Sequence, residues 1–226
     1  MGALLAVGDR LGQEPAPRRE NIDELLLRHR AAQLADAAEK GDRVRTIELL
    51  NAHTDPNRAD ERARLPLHGA AFAGAADVVR PLLDARADAN LADVVHGNRP
   101  LQIAAWEGHV EVARLLIHGR ASVDAADKRG WTPLYSAAGR GHLATVQLLL
   151  SSRADPALAA EVGGPGVTPL QAATTGRHLP VAQAIRDARA SAVAPATPVR
   201  RRSKRALTKL TTELHRCLQT LGCRCA

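Results

Sequence analysis

Histidine, serine and cysteine are the side chains here that could serve as base, nucleophile or metal ligand, and their spacing separates chemistry from architecture. His68, His109, His142 and His178 each sit within a short phrase that returns along the chain. A catalytic histidine needs one nucleophile and one orienting acid, whereas a histidine that returns with every phrase belongs to the scaffold. Ser136 and Ser151 have no histidine and acid at matching distances, and no glycine loop carries a phosphate-holding lysine. His215, Cys217, Cys223 and Cys225 offer imidazole and thiolate, the ligands of zinc, but Cys223-Arg224-Cys225 is too tight for a tetrahedral site. No catalytic residue, metal or cofactor is assigned, and the expectation is a protein that is not an enzyme.

The remaining chemistry is that of binding. Phe72, Trp106, Trp131 and Tyr135 are the only aromatics in 226 residues. Phe72 and Trp106 each lie six residues after a proline, Pro66 and Pro100, and Trp131 and Tyr135 flank a third, Pro133. Tryptophan and tyrosine are enriched among residues that dominate interface energy. With so few aromatics the interior must be filled by Ala, Leu and Val, which suits helices packed closely in register.

The elements that position these residues are announced by the phrase itself. It reads Pro66-Leu67-His68 with Ala70-Ala71 and Gly74, then Pro100-Leu101 with Ala104-Ala105, Gly108 and His109. It returns as Thr132-Pro133-Leu134 with Ala137-Ala138, Gly141 and His142, and as Thr168-Pro169-Leu170 with Ala172-Ala173 and His178. The prolines are 34, 33 and 36 residues apart. Thr132 and Thr168 suit the N-cap, and the following proline suits the first helical position, where a missing N–H costs nothing. Gly41, Gly74, Gly108 and Gly141 end a first helix, where left-handed backbone is often required. A second helix follows, with Val78-Val79-Leu82-Leu83, Val110-Val112-Leu115-Leu116 and Val146-Leu148-Leu149-Leu150 at helical spacing. Asp55, Asp88 and Asp155 then open the turn to the next unit.

Phrase and period together resemble the ankyrin repeat. The resemblance spans roughly residues 30–188 as five units, closest across the middle three, with the first and fifth as caps. It implies an all-α solenoid of helix-turn-helix units whose hairpin tips and inner helices line a concave groove. Phe72, Trp106, Trp131 and Tyr135 fall in three consecutive units and would meet in that groove, with Glu107 and Arg140 at its rim. Space-filling between units is the competing reading. It is preferred for Phe72 and stands level with anchoring for Trp106 and Trp131. The resemblance also implies that the repeating histidines tie loop backbone together.

Several positions depart from the pattern. Leu65 and Arg99 replace the capping Thr, and Gln102, Tyr135 and Gln171 replace the usual His. Pro81 lies inside a second helix and is expected to kink or shorten it. In the fifth unit Arg177 occupies the glycine position, with Gly176 one residue early. Asn21 with Glu24 reads as a capping box opening the first helix.

Charge divides the chain. Residues 200–226 hold eight basic side chains against Glu213, which accounts for the whole net charge of +7. Within them lie the cluster Arg200, Arg201, Arg202, Lys204 and Arg205, all three cysteines, and Leu207, Leu210, Leu214, Leu218 and Leu221 at the spacing of an amphipathic helix. The cluster is open to four readings: a solvated charge run, a nuclear-import signal, unspecific phosphate contact with nucleic acid, or attachment to an anionic membrane. Cys223-Arg224-Cys225-Ala226 has the outline of a prenylation signal, with Cys223 the lipidation candidate and Arg224 the departure from it. Leu214-His215-Arg216-Cys217-Leu218 faintly echoes the box that joins ankyrin units to ubiquitin ligases and is incomplete. Disulfide-free repeats fit a reducing compartment, and no run reaches the ~18 apolar residues of a membrane span.

The expected organisation is a mobile arm over 1–20, the repeat domain over 21–188, an Ala/Pro linker over 189–199 and a basic amphipathic tail over 200–226. The expected function is a monomeric, non-enzymatic adaptor, cytoplasmic or nuclear, that binds a partner protein in the groove. The alternative is a membrane-tethered scaffold or nuclear regulator acting through the tail.

Overall fold

The computed structural model describes residues 22–160 and 166–193, within which the chain forms ten helices. They alternate between two layers. The inner layer holds α1 (Ile22–Glu39), α3 (Pro66–Ala73), α5 (Pro100–Glu107), α7 (Pro133–Arg140) and α9 (Pro169–Thr175). The outer layer holds α2 (Arg43–Asn51), α4 (Ala76–Asp84), α6 (Val110–His118), α8 (Leu143–Ser151) and α10 (Leu179–Val193). Each helix packs on its hairpin partner and on its counterpart one unit away, the one-dimensional stacking expected of repeats.

The core follows from the phrase. Ala70, Ala71, Ala104, Ala105, Ala137 and Ala138 are all fully buried, letting neighbouring inner helices approach closely. Between the layers, Leu82, Leu116 and Leu149 from one face of the outer helices meet Leu67, Leu101 and Leu134 from the inner ones in a single cluster. Thr132 and Thr168 cap their helices by accepting from the N–H of Tyr135 at 3.2 Å and Gln171 at 3.3 Å. Where Arg99 stands in the Thr position, Gln102 compensates: its Oε1 accepts from the Arg99 N–H at 3.0 Å.

The glycines that close the inner helices are doubly constrained. Gly74, Gly108 and Gly141 have φ of 71°, 82° and 82°, which disfavours any side chain. A Cβ at each would also meet the ring of His109, His142 or His178 at 2.7, 2.6 and 2.5 Å.

Two sequence expectations need revision. Pro81 does not shorten α4, which spans nine residues like α6 and α8. The carbonyl that loses its partner belongs to exposed Asp77 on the outer face, where it can tilt toward water. α10 runs to Val193, so residues 189–193 are helical rather than the start of a linker. They are Ala-rich, and the first proline comes only at Pro195. α1 has 18 residues where the middle inner helices have eight, extending the first unit toward the N-terminus. The Asn21 cap, the arm, the remainder of the linker and the whole tail, Arg200 to Arg205 and Cys223 included, lie outside the described residues.

The fifth unit closes irregularly. Gly176 is right-handed at φ −73°, and Arg177 takes the left-handed conformation at φ 60°. An L-residue there costs roughly 1–2 kcal/mol. Arg177→Gly is therefore expected to stabilise the protein by about 1 kcal/mol, read as a raised urea midpoint. A lowered midpoint would show that the Arg177 side chain contributes more than its backbone strain removes.

Candidate protein-binding groove

Between successive units the chain makes a short finger, at residues 60–64, 93–98 and 127–131. Each begins with an aspartate whose carboxylate is turned inward onto finger backbone. Asp60 Oδ1 accepts from the N–H of Arg62 and Arg64 at 2.9 and 2.7 Å. Asp93 accepts from His96, Gly97 and Asn98, and Asp127 Oδ1 from Arg129 at 2.8 Å and Trp131 at 2.9 Å. Burial works against the charged form of Asp93, but the three N–H bonds outweigh it and hold the carboxyl below its usual range.

A second set of bonds ties the second and third fingers to the unit before them. His68 Nε2 donates to the Asn98 carbonyl at 3.0 Å, and Gln102 Nε2 donates to the Trp131 carbonyl. Asn98 and Trp131 both precede the cap of the next inner helix, so Gln102 performs the reach that His performs in its neighbour. The Nε2 of His68 must carry the proton, since a carbonyl can only accept. His68 Nδ1 is then a buried lone pair without a partner. Burial holds the ring below the ordinary histidine range, against the smaller pull of the Asn98 carbonyl and of Asp93. His109 and His142 work from the other side, donating to the carbonyls of Phe72 at 3.1 Å and Trp106 at 2.9 Å. The aromatic positions are thus fixed by backbone bonds from adjoining units.

On this frame five of the six sequence-selected groove residues come together, with Tyr135 joining through Trp131. Phe72, Trp106, Glu107 and Trp131 line one cavity of about 290 Å³, floored by Gln102, Ile103 and Ser136. The indoles of Trp106 and Trp131 stack with centroids 5.9 Å apart and planes inclined by 15°. Tyr135 tilts against Trp131 at 5.3 Å. Arg140, exposed at the rim, lies over the Trp106 ring at 4.1 Å. Phe72 does not fill space between units: it is 58% exposed. Its backbone is held by His109 while its ring stands in the open between this cavity and a second of about 250 Å³, lined by Leu65, His68, Asp93 and Ile103.

The sequence reading missed Arg129, whose guanidinium sits 3.7 Å from the Trp131 centroid and is held from behind by Asp127. The recurrence of Asp60, Asp93 and Asp127 at one-unit intervals was the available signal. A larger hollow of about 760 Å³ opens on the outer face between Arg43, Leu50, Asp77, Arg80 and Leu115. It mixes both charge signs and contains no aromatic. Among the described residues no His, Cys, Asp and Glu cluster is arranged to hold a metal ion, and no helix is long and apolar enough to cross a membrane.

Comparison with protein families finds the same repeat over the middle of the chain. A model for ankyrin repeats in three copies matches residues 34–127, and a model for ankyrin repeats in many copies matches residues 107–150. Among curated proteins nothing matches the chain. Ankyrin repeats are in general modules for protein–protein interaction, and no catalytic family is indicated. With the two-layer stack, the capped inner helices and the histidine-locked fingers in place, the matched span of 34–150 shows that this chain belongs to the ankyrin repeat family.

Proposed function

We propose that the chain is a non-catalytic adaptor that holds a segment of a partner protein in the groove formed by α3, α5, α7 and their fingers. One observation supports this above the others. All four aromatics of an aromatic-poor chain lie along one face, and the most exposed of them, Phe72, stands between two cavities. With Leu65, Ile103 and Trp106 around those cavities, Phe72 forms a contiguous apolar surface of the kind that marks interaction sites. Because the face is preformed, little ordering entropy opposes binding on the receptor side. The basic tail then has the separate task of location, on a membrane surface or in the nucleus, since it holds the whole net charge of the chain.

The test is affinity purification from cells with the full chain, Phe72→Ala and Trp106→Ala, followed by titration of the recovered partner. Each substitution is expected to weaken binding by about 2 kcal/mol with helical circular dichroism unchanged for Phe72→Ala. Partners retained equally by both variants and lost only from a chain ending at Val199 would transfer the function to the tail and sink the groove reading.

A further inference from the structure

The charges around the groove are sorted by direction. The leading aspartates of the fingers are spent on the protein itself: the side chains of Asp60 and Asp127 are 2% and 1% exposed, and Asp93 accepts three backbone N–H bonds. The finger and rim cations face outward instead. Lys128, Arg129 and Arg140 are all exposed around the tryptophan cavity, whose wall holds one half-buried carboxylate, Glu107, while exposed Glu39 beside the second cavity is paired with Arg64 and exposed Glu61 stands on the first finger.

Arg140 is the informative one. Its guanidinium carbon lies over the Trp106 ring, 4.1 Å from the centroid, yet among the described residues it has no ion-pair partner and no hydrogen bond. A guanidinium lying on an indole keeps its N–H groups in its own plane, so stacking leaves free the edge that receives a carboxylate. Arg129 shows the same arrangement with its site filled, by Asp127. Arg140 is thus an oriented cation awaiting an acid that this chain does not supply.

The apolar side of the groove also extends. The second finger carries Val94 and Val95 at its tip, 74% and 67% exposed, where the first carries Glu61 and Arg62 and the third Lys128 and Arg129. Lys128 Nζ donates to the carbonyls of both valines. The turn is fixed, the carbonyls of both valines are used, and beside exposed His96 the tip presents two apolar side chains.

We infer that the ligand of this groove is an acidic peptide segment bearing a bulky apolar anchor, the anchor seated beside Phe72 and Trp106 and a flanking carboxylate paired with Arg140. This rests on the groove being the binding face. The partner class follows from complementarity at one point: an apolar trough whose tryptophan end carries the unpaired cation Arg140 favours a segment with Asp or Glu next to Leu, Phe or Trp over a basic one.

The experiment selects binders to the full chain from a phage library of short random peptides, then titrates the enriched peptides against variants. Enrichment of Asp and Glu beside bulky apolar residues is expected. Binding should fall roughly tenfold or more on Arg140→Glu, less on Arg140→Lys, and to background on Phe72→Ala. Arg140 and Phe72 are exposed, and unchanged helical circular dichroism in these variants separates lost contact from lost fold. Peptides lost on Phe72→Ala but neutral or basic in composition, or indifferent to Arg140→Glu, would overturn the acidic-ligand inference while leaving the groove reading standing. Peptides that bind regardless of Phe72 and Trp106 would overturn both, and would place the acidic preference in the basic tail.

Discussion

Gly108→Ala is expected to lower the stability of the protein by about 3 kcal/mol, a large share of the total for a domain of this size. Two independent costs meet at this position. At φ 82° an L-residue pays roughly 1–2 kcal/mol in backbone strain. The new methyl would also lie 2.6 Å from His142 Nδ1, and the ring cannot swing away without giving up its bond to the Trp106 carbonyl. Losing that bond adds about 1 kcal/mol. The control is Gly139→Ala in the exposed last turn of α7, where the nearest atom to a Cβ is Ala172 Cβ at 3.9 Å. There the helix propensity of alanine should raise stability by up to about 1 kcal/mol. Urea titration of the two variants checks both signs. An unchanged midpoint for Gly108→Ala would show that the glycine serves neither φ nor the histidine.

This contrast shows why the fold was readable from sequence. Each unit solves the same packing problem with the same residues, so period, proline, alanine pair and glycine report one geometry several times over. The departures became clear only in three dimensions. Gln102 looks like a lost histidine, yet its amide both accepts from its own cap and donates to the next finger. Pro81 looks like a helix breaker, yet the carbonyl it orphans lies on a solvent face. Left-handed Arg86, Arg120 and Arg153 end outer helices at φ 67°, 66° and 67°. Propensity would place glycine at these positions, and no local signal marks the choice of arginine.

The site was half legible. Rarity brought the four aromatics to notice, and their register placed them on one face. Sequence could not tell which rings would be covered by the protein's own side chains. Trp106 and Trp131 cover each other and carry Arg140 and Arg129 on their faces, while Phe72, read as filler, stands free. The difference lies in the fingers. A carboxylate that gathers backbone N–H groups across a turn has no hydrophobic signature, so only the one-unit recurrence of Asp60, Asp93 and Asp127 marks the device that orients Trp131.

That device carries the second large effect. Asp127→Ala is expected to cost about 2–3 kcal/mol and to unstack the tryptophan pair. The carboxylate, 1% exposed, accepts from the N–H groups of Arg129 and Trp131 and pairs with the Arg129 guanidinium. Its removal leaves buried donors without acceptors and frees the cation that covers Trp131, each a costly defect. Asp127→Asn keeps an acceptor oxygen for the two N–H groups and loses only the charge, so its cost should be nearer 1 kcal/mol. Asp155→Ala, at an exposed turn where a carboxylate oxygen accepts only from Ala157, should cost less again. Urea midpoints rank the three variants, and the near-ultraviolet dichroism of the stacked indoles reports whether Trp131 has left Trp106. Binding should follow the dichroism rather than the midpoint, because a partner reads the orientation of the rings. If Asp127→Ala keeps both its midpoint and its aromatic signal, the backbone bonds from the Asp127 N–H to the Trp131 carbonyl and from the Gly130 N–H to the Asp127 carbonyl suffice to hold the finger, and the carboxylate has no part in shaping the groove.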